Sequence, residues 1–154
     1  MLLQSLDEAF DRKSWHGTNL RGSVRGLAAD QAAWRPAPGR HNIWEIVVHA
    51  AYWKYTVRRR LLGEKRGSFV LKGSDWFARP EGEASEAAWR SDVALLVSEH
   101  SALRAAVEAW ASGDDAGVLS RAEATHLVIG IAFHDIYHAG QIQLIKRLRQ
   151  HASV

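Results

Sequence analysis

The chain has 154 residues, of which 47% are apolar and 24% charged, and its formal net charge is +3. This composition excludes a disordered chain and is typical of one globular domain over residues 1–154, while so small a charge does not by itself indicate nucleic-acid binding. The chain has no cysteine, which excludes disulfides and cysteine zinc sites, so any metal would need histidine or carboxylate ligands.

The N-terminal sequence and the hydrophobic pattern do not indicate a secreted or membrane protein. The first residues lack a basic stretch followed by an apolar run, and no segment approaches the ~18 uninterrupted apolar residues of a membrane span. We therefore expect a cytoplasmic protein with no membrane partner.

The first predicted helix covers residues 2–27. Its apolar side chains recur at steps of three and four residues, and the same series passes through Lys13 and Gly17. The next segment contains two prolines and a glycine within residues 36–39, which should interrupt any helix.

The second predicted helix begins at Asn42, where Glu45 is placed three residues later to complete a capping box. It should end near Leu62, because Gly63 is a typical C-terminal stop. The third helix is predicted over residues 85–111.

The fourth helix should begin after Ser120, which forms a second capping-box pattern with Glu123, and reach about residue 150. Residues 64–84 form a connection between helices two and three that is too long for a tight turn. We expect it to cross the length of a helical bundle, which would leave helices two and three parallel.

Polar residues interrupt the face of helix four that should be buried. A buried polar group lowers stability unless it has partners. His134 and His138 lie one helical turn apart, so their nitrogens can point at one atom. The complete series at three- and four-residue steps is Leu127, Ile131, His134, His138, Gln141, Ile145 and Leu148.

His49 lies near the middle of helix two, at the depth of the histidine pair in helix four. Three neutral histidines with open positions remaining are typical of catalytic metal sites. A network of hydrogen-bonded core histidines is the alternative interpretation. On helix one, Lys13 and Gly17 should lie at this depth, and a glycine facing the site would leave a cavity beside the metal.

Four residues are candidates for a substrate pocket: His16, Gly17, Trp53 and Gln141. Ordinary core packing of Trp53 and an interhelical hydrogen bond of Gln141 are alternative interpretations. We expect His100 to be a satisfied core residue, and His41, His126 and His151 to be surface or capping groups.

The histidine ligands should be supported by hydrogen bonds from neighbouring groups. Glu45 lies one turn before His49. Asp135 adjoins His134 but should face another helix or solvent, because consecutive helical residues are about 100° apart.

Two segments resemble the DinB/YfiT-like superfamily, namely residues 41–53, which contain His49, and residues 134–142, which contain H-x-x-x-H-x-G-Q. The resemblance covers nearly the whole chain. It implies an up-down-down-up four-helix bundle, often a homodimer. It also implies that His49, His134 and His138 bind a divalent metal such as zinc or nickel, with water at the open positions.

The resemblance does not single out one reaction. It implies a hydrolase, or a transferase or isomerase that uses a low-molecular-weight thiol such as mycothiol or bacillithiol, acting on a small-molecule substrate. Because the chain has no cysteine, a thiolate would come from a cosubstrate. We identify no catalytic side chain, and metal-bound water or thiol would be the nucleophile.

Other classes of protein fit the sequence less well. A zincin protease would need glutamate where Asp135 stands, and the shorter side chain would reach a bound water poorly. A nucleic-acid-binding or regulatory module could use the basic residues 58–60, Lys65 and Arg66, but a solvated helix end explains them equally well. A non-catalytic metal-binding structural or stress protein is the third alternative.

Overall fold

The computed structural model describes residues 1–67, 69–113 and 118–152, and these residues form α-helices and no strand. The fold class is therefore all-α, as predicted. No helix in this part of the chain is both long and apolar enough to cross a bilayer. The described residues contain six helices, which are α1 Leu2–Phe10, α2 Leu20–Val24, α3 Ala29–Ala33, α4 Ile43–Leu61, α5 Glu86–Ala111 and α6 Arg121–Ala152.

The prediction of one continuous helix over residues 2–27 is wrong, because α1 ends at Phe10 and α2 begins at Leu20. Gly17 has a φ of +104°, which lies outside the right-handed helical region. Asn19 starts a new helix, since its side chain accepts a hydrogen bond from the backbone N–H of Gly22 at 2.8 Å. Lys13 and Gly17 are exposed, so they lack the burial that would hold a helix together there.

The other three predicted helices are confirmed as α4, α5 and α6. At the start of α4, the Asn42 side chain accepts from the Glu45 N–H at 2.8 Å, and the Glu45 carboxylate accepts from the Asn42 N–H. Ser120 and Glu123 exchange the equivalent bonds before α6. These caps satisfy N–H groups that have no partner within the helix.

Helices α4 and α5 run in the same direction, as their long connection predicts. Near the start of both helices, Trp44 packs on Trp89 with ring centroids 5.3 Å apart, and the Trp44 indole donates to Asp92 at 2.7 Å. Further along both, Arg58 lies 3.7 Å from Glu99. Residue 68 of the connection lies outside the described residues.

Helix α4 is buried on nearly all sides, against α5 on one side and α6 on another. It runs antiparallel to α6, because Ile46 and Ile145 line one cavity whereas Val57 and Leu127 line another. Polar side chains near the middle of α4 therefore meet those near the middle of α6.

Candidate metal centre

The three histidines predicted as ligands lie together between α4 and α6. The Nε2 atom of His134 is 3.1 Å from the Nε2 atom of His49 and 3.1 Å from that of His138. Within the described residues, one nitrogen from each side chain falls within 4.8 Å of the others. His49 and His138 are only 5% and 3% exposed, so the cluster is largely shielded from bulk water.

In His49 and His138, the Nδ1 atom forms a hydrogen bond on the side of the ring away from the cluster, which leaves the lone pair of Nε2 directed towards the cluster. The Nδ1 atom of His49 donates to the backbone carbonyl of Asp75 at 2.9 Å, and that of His138 donates to Oε1 of Gln141 at 2.7 Å. A neutral imidazole that donates from Nδ1 presents an unprotonated Nε2. Both rings are therefore held in the tautomer that a metal requires.

The surroundings keep the histidines neutral near pH 7. Burial lowers the pKa of His134 to about 3 and that of His138 to about 4, and neighbouring histidines lower the pKa of His134 further. Burial also lowers the pKa of His49, although Asp75 opposes this change. Neutral imidazole is the form that binds metals.

The arrangement fits a divalent metal. Nitrogen ligands at tetrahedral zinc lie roughly 3.3 Å apart, given Zn–N distances of about 2.0–2.1 Å. A proton on Nε2 of His134 can form a hydrogen bond with only one of the two nitrogens that lie 3.1 Å away, so at least one of these contacts joins two nitrogens without a hydrogen bond and is repulsive. A cation at the point where the nitrogens converge would relieve this repulsion.

Sequence reasoning missed two residues of the long connection that hold His49. Asp75 adopts a φ of +66°, which is rare for a residue other than glycine. Its carboxylate accepts from the Trp53 indole at 2.9 Å and lies 3.2 Å from Nδ1 of His49. Trp76 stacks on His49 with ring centroids 3.8 Å apart. No spacing rule points to these residues, because they approach α4 only through the path of the loop.

The predicted pocket residues separate into two groups. Trp53 lies beside the cluster, with its ring centroid 6.2 Å from that of His134, and Gln141 contacts His138 directly. His16 and Gly17 belong to the non-helical segment after α1, and no described contact joins either residue to the cluster. The cavity beside the metal was predicted on the assumption that Gly17 faces the site from a helix, and Gly17 is not on a helix.

The expectation that Glu45 supports His49 is not met by its contacts. Its carboxylate instead accepts from Arg35 and from Nδ1 of His41, the latter at 2.9 Å. Burial opposes ionisation, but these bonds lower the pKa of Glu45. His41 is exposed, as predicted, yet its ring stacks on Trp76 at 3.6 Å. His41, Trp76 and His49 thus form a continuous stack from the surface to the cluster.

A second buried polar group lies next to the histidines. Lys54 forms an ion pair with Asp135, and both side chains are fully buried. Asp135 thus faces another helix, one of its two predicted environments. The ammonium of Lys54 lies 4.8 Å from the centre of the Phe10 ring, which stacks on His100 at 3.6 Å. His100 is buried in the core as expected, but its Nδ1 has no hydrogen-bond partner within the described residues.

Comparison with known proteins identifies the family. No curated protein and no solved structure shows significant similarity to the chain. The model of the DinB superfamily matches residues 13–142, a span that contains His49, His134 and His138. The chain therefore belongs to the DinB superfamily.

Proposed function

We propose that the protein is a metal-dependent enzyme, either a hydrolase or a low-molecular-weight-thiol-dependent S-transferase, that acts on a small molecule. His49, His134 and His138 hold the divalent metal, zinc or nickel. The observation that carries the proposal is the convergence of one nitrogen from each of the three histidines within 4.8 Å, with His49 and His138 buried. When bound, a dication with neutral ligands lowers the pKa of a bound water or thiol towards neutrality.

The neighbouring residues would keep the site in order for this chemistry. Asp75 and Gln141 fix the two rings whose Nδ1 atoms they accept from, so little reorganisation is needed when the metal binds. Trp76 covers one face of His49 and limits access of water. Since the chain has no cysteine, the thiol of the transferase reaction is a cosubstrate.

We further propose that α1, α4, α5 and α6 form the up-down-down-up four-helix bundle implied by the family resemblance. Contacts of α1 support this arrangement. Asp7 pairs with Arg104 at 2.8 Å, and Phe10 stacks on His100, so α1 runs antiparallel to α5.

A homodimer is also part of the proposal. Three apolar side chains spaced by four residues are exposed on one face of α6: Ile129 at 37%, Phe133 at 66% and Tyr137 at 63%. Covering such a stripe with a second copy would remove apolar surface from water. Light scattering should give twice the chain mass for the wild type and a monomer for Phe133→Glu, and a monomeric wild type would overturn this part of the proposal.

Elemental analysis of the purified, untagged protein tests the metal site. We expect about one divalent metal per chain in the wild type and in His151→Ala, an exposed histidine of the same helix, and almost none in a folded His138→Ala variant. A wild type that is free of metal and takes none up on titration would overturn the proposal. Turnover in a screen of hydrolase and transferase substrates, with and without added thiols, then separates an enzyme from a non-catalytic metal protein.

A further inference from the structure

A cavity of about 500 Å³ opens beside the three histidines, between the loop before α4 and the C-terminal half of α6. We call it the outer cavity. Two of its lining residues touch the candidate ligands: Trp76 stacks on His49, and Gln141 accepts from His138. A molecule in this cavity would therefore be separated from the histidines of the proposed metal centre by only one layer of side chains. Its volume is within the range of small-molecule sites, which is roughly 300–1,000 Å³.

The wall of the outer cavity is mostly apolar. It is formed by Pro36, Ala37, Ile46, Leu144, Ile145 and Leu148. Leu144 and Leu148 remain 58% and 44% exposed, although Leu148 belongs to the series predicted to be buried. An apolar ligand would cover these leucines and gain the free energy of removing their surface from water.

Among the described residues that line the cavity, Arg40 is the one permanently charged side chain. Arg40 lines it and is exposed, and within the described residues no carboxylate lies at ion-pair distance from its guanidinium. The nearby carboxylate of Glu45 is buried and already bound to Arg35 and His41. Among the described residues, no acidic side chain lines the cavity. An unpaired guanidinium beside an apolar wall is complementary to a carboxylate on an apolar body.

We propose that the outer cavity is the substrate site and that it selects small amphipathic carboxylates. The apolar body lies against Leu144 and Leu148, and the carboxylate pairs with Arg40. The role of the cavity as a substrate site rests on the proposed function. Binding of the carboxylate itself involves only residues of the chain and requires no metal.

Calorimetry on the metal-free, untagged protein tests the selection with three probes that differ only in their polar end: 4-phenylbutyrate, 4-phenylbutan-1-ol and 4-phenylbutylamine. We expect the carboxylate to bind most tightly and the amine most weakly. Arg40→Gln should weaken binding of the carboxylate by about three- to tenfold and leave that of the alcohol unchanged. Arg12→Gln, a change at an exposed arginine that does not line the cavity, is the matched control.

Leu148→Ala provides a second variant that changes an exposed position and should fold normally. It should weaken binding of the carboxylate and the alcohol alike, because both probes share the apolar body. Equal affinities for the three probes, or no effect of Arg40→Gln, would overturn the selection by charge. Binding of 4-phenylbutyrate only to zinc-loaded protein, lost in His138→Ala, would show that the carboxylate is a metal ligand and would overturn the assignment of the cavity. Absence of binding by any probe would also overturn it, and the metal content measured separately would still stand.

Discussion

Within the described residues, two groups of buried or partly buried polar side chains lie between α4 and α6, and they differ in whether their members carry compensating charges. Lys54 and Asp135 carry opposite charges and form a closed pair. His49, His134 and His138 direct nitrogen atoms of the same kind at one point. The charges of the pair compensate each other, although Oδ1 of Asp135 has no hydrogen-bond partner within the described residues. The three histidine nitrogens instead converge in an arrangement that is compatible with a divalent cation. Burial alone therefore does not distinguish a candidate metal site, whereas the convergence of like nitrogen atoms does.

The largest effect should come from breaking the closed pair. Lys54→Met leaves the carboxylate of Asp135 buried without a counter-charge, which should lower the free energy of unfolding by about 3–5 kcal/mol. The double variant Lys54→Met/Asp135→Leu should recover most of this loss, because it removes both charges. Urea unfolding of metal-free protein measures both effects. If the double variant is as unstable as the single variant, the loss of stability does not come from an uncompensated buried charge, and the prediction is wrong.

The histidine cluster should respond in the opposite way, by gaining stability when its ligand is supplied. Zinc at a free concentration one hundred times its dissociation constant should raise the free energy of unfolding by about 2.7 kcal/mol, because it binds only the folded chain. Urea unfolding with buffered zinc, compared with chelator, measures the gain. His138→Ala should gain much less at the same zinc concentration, and an equal gain would place the metal elsewhere.

His100 offers a control for the histidine cluster, because it is a buried histidine that, within the described residues, has no other histidine beside it to share a metal. Burial, together with the charges of Lys54 and Arg104, lowers its pKa to about 3. In the unfolded chain His100 has a pKa of about 6.5 and binds a proton below that pH, whereas in the folded chain it stays neutral. The free energy of unfolding therefore falls as the pH drops below about 6.5. Between pH 7.5 and pH 5, metal-free wild type should lose about 2 kcal/mol more than His100→Leu. Equal losses in urea titrations would contradict this assignment.

The smallest effect should come from replacing Asp75, which lies against Nδ1 of His49. Asp75→Ala removes the carboxylate that holds the Trp53 indole and lies beside Nδ1 of His49, so we expect metal affinity to fall about tenfold. Asp75→Asn keeps an acceptor oxygen and tolerates the positive φ, and should lose less. Competition with a chromophoric chelator measures both affinities. Unchanged affinity in Asp75→Ala would mean that the backbone carbonyl alone orients the ring.

The parts of the fold that local sequence controls were predictable. Asn42 with Glu45 and Ser120 with Glu123 mark helix starts because each pair bonds within one turn, independently of the rest of the chain. The first helix was mispredicted because Lys13 and Gly17 matched the spacing of the apolar series but lacked its burial. Periodicity describes a helix only where the repeated side chains have a surface to pack on.

The sequence by itself determined which histidines share a helix face and lie at the same depth, because helical geometry relates position along the chain to position in space. Only the tertiary structure decided what surrounds them: Asp75 and Trp76 against His49, and Lys54 against Asp135. These contacts join residues that are 26 to 81 positions apart, and two of them involve an irregular loop, so no local periodicity relates sequence to distance. The positions of the proposed ligands thus follow from the helices, and the contacts that support them follow from the packing.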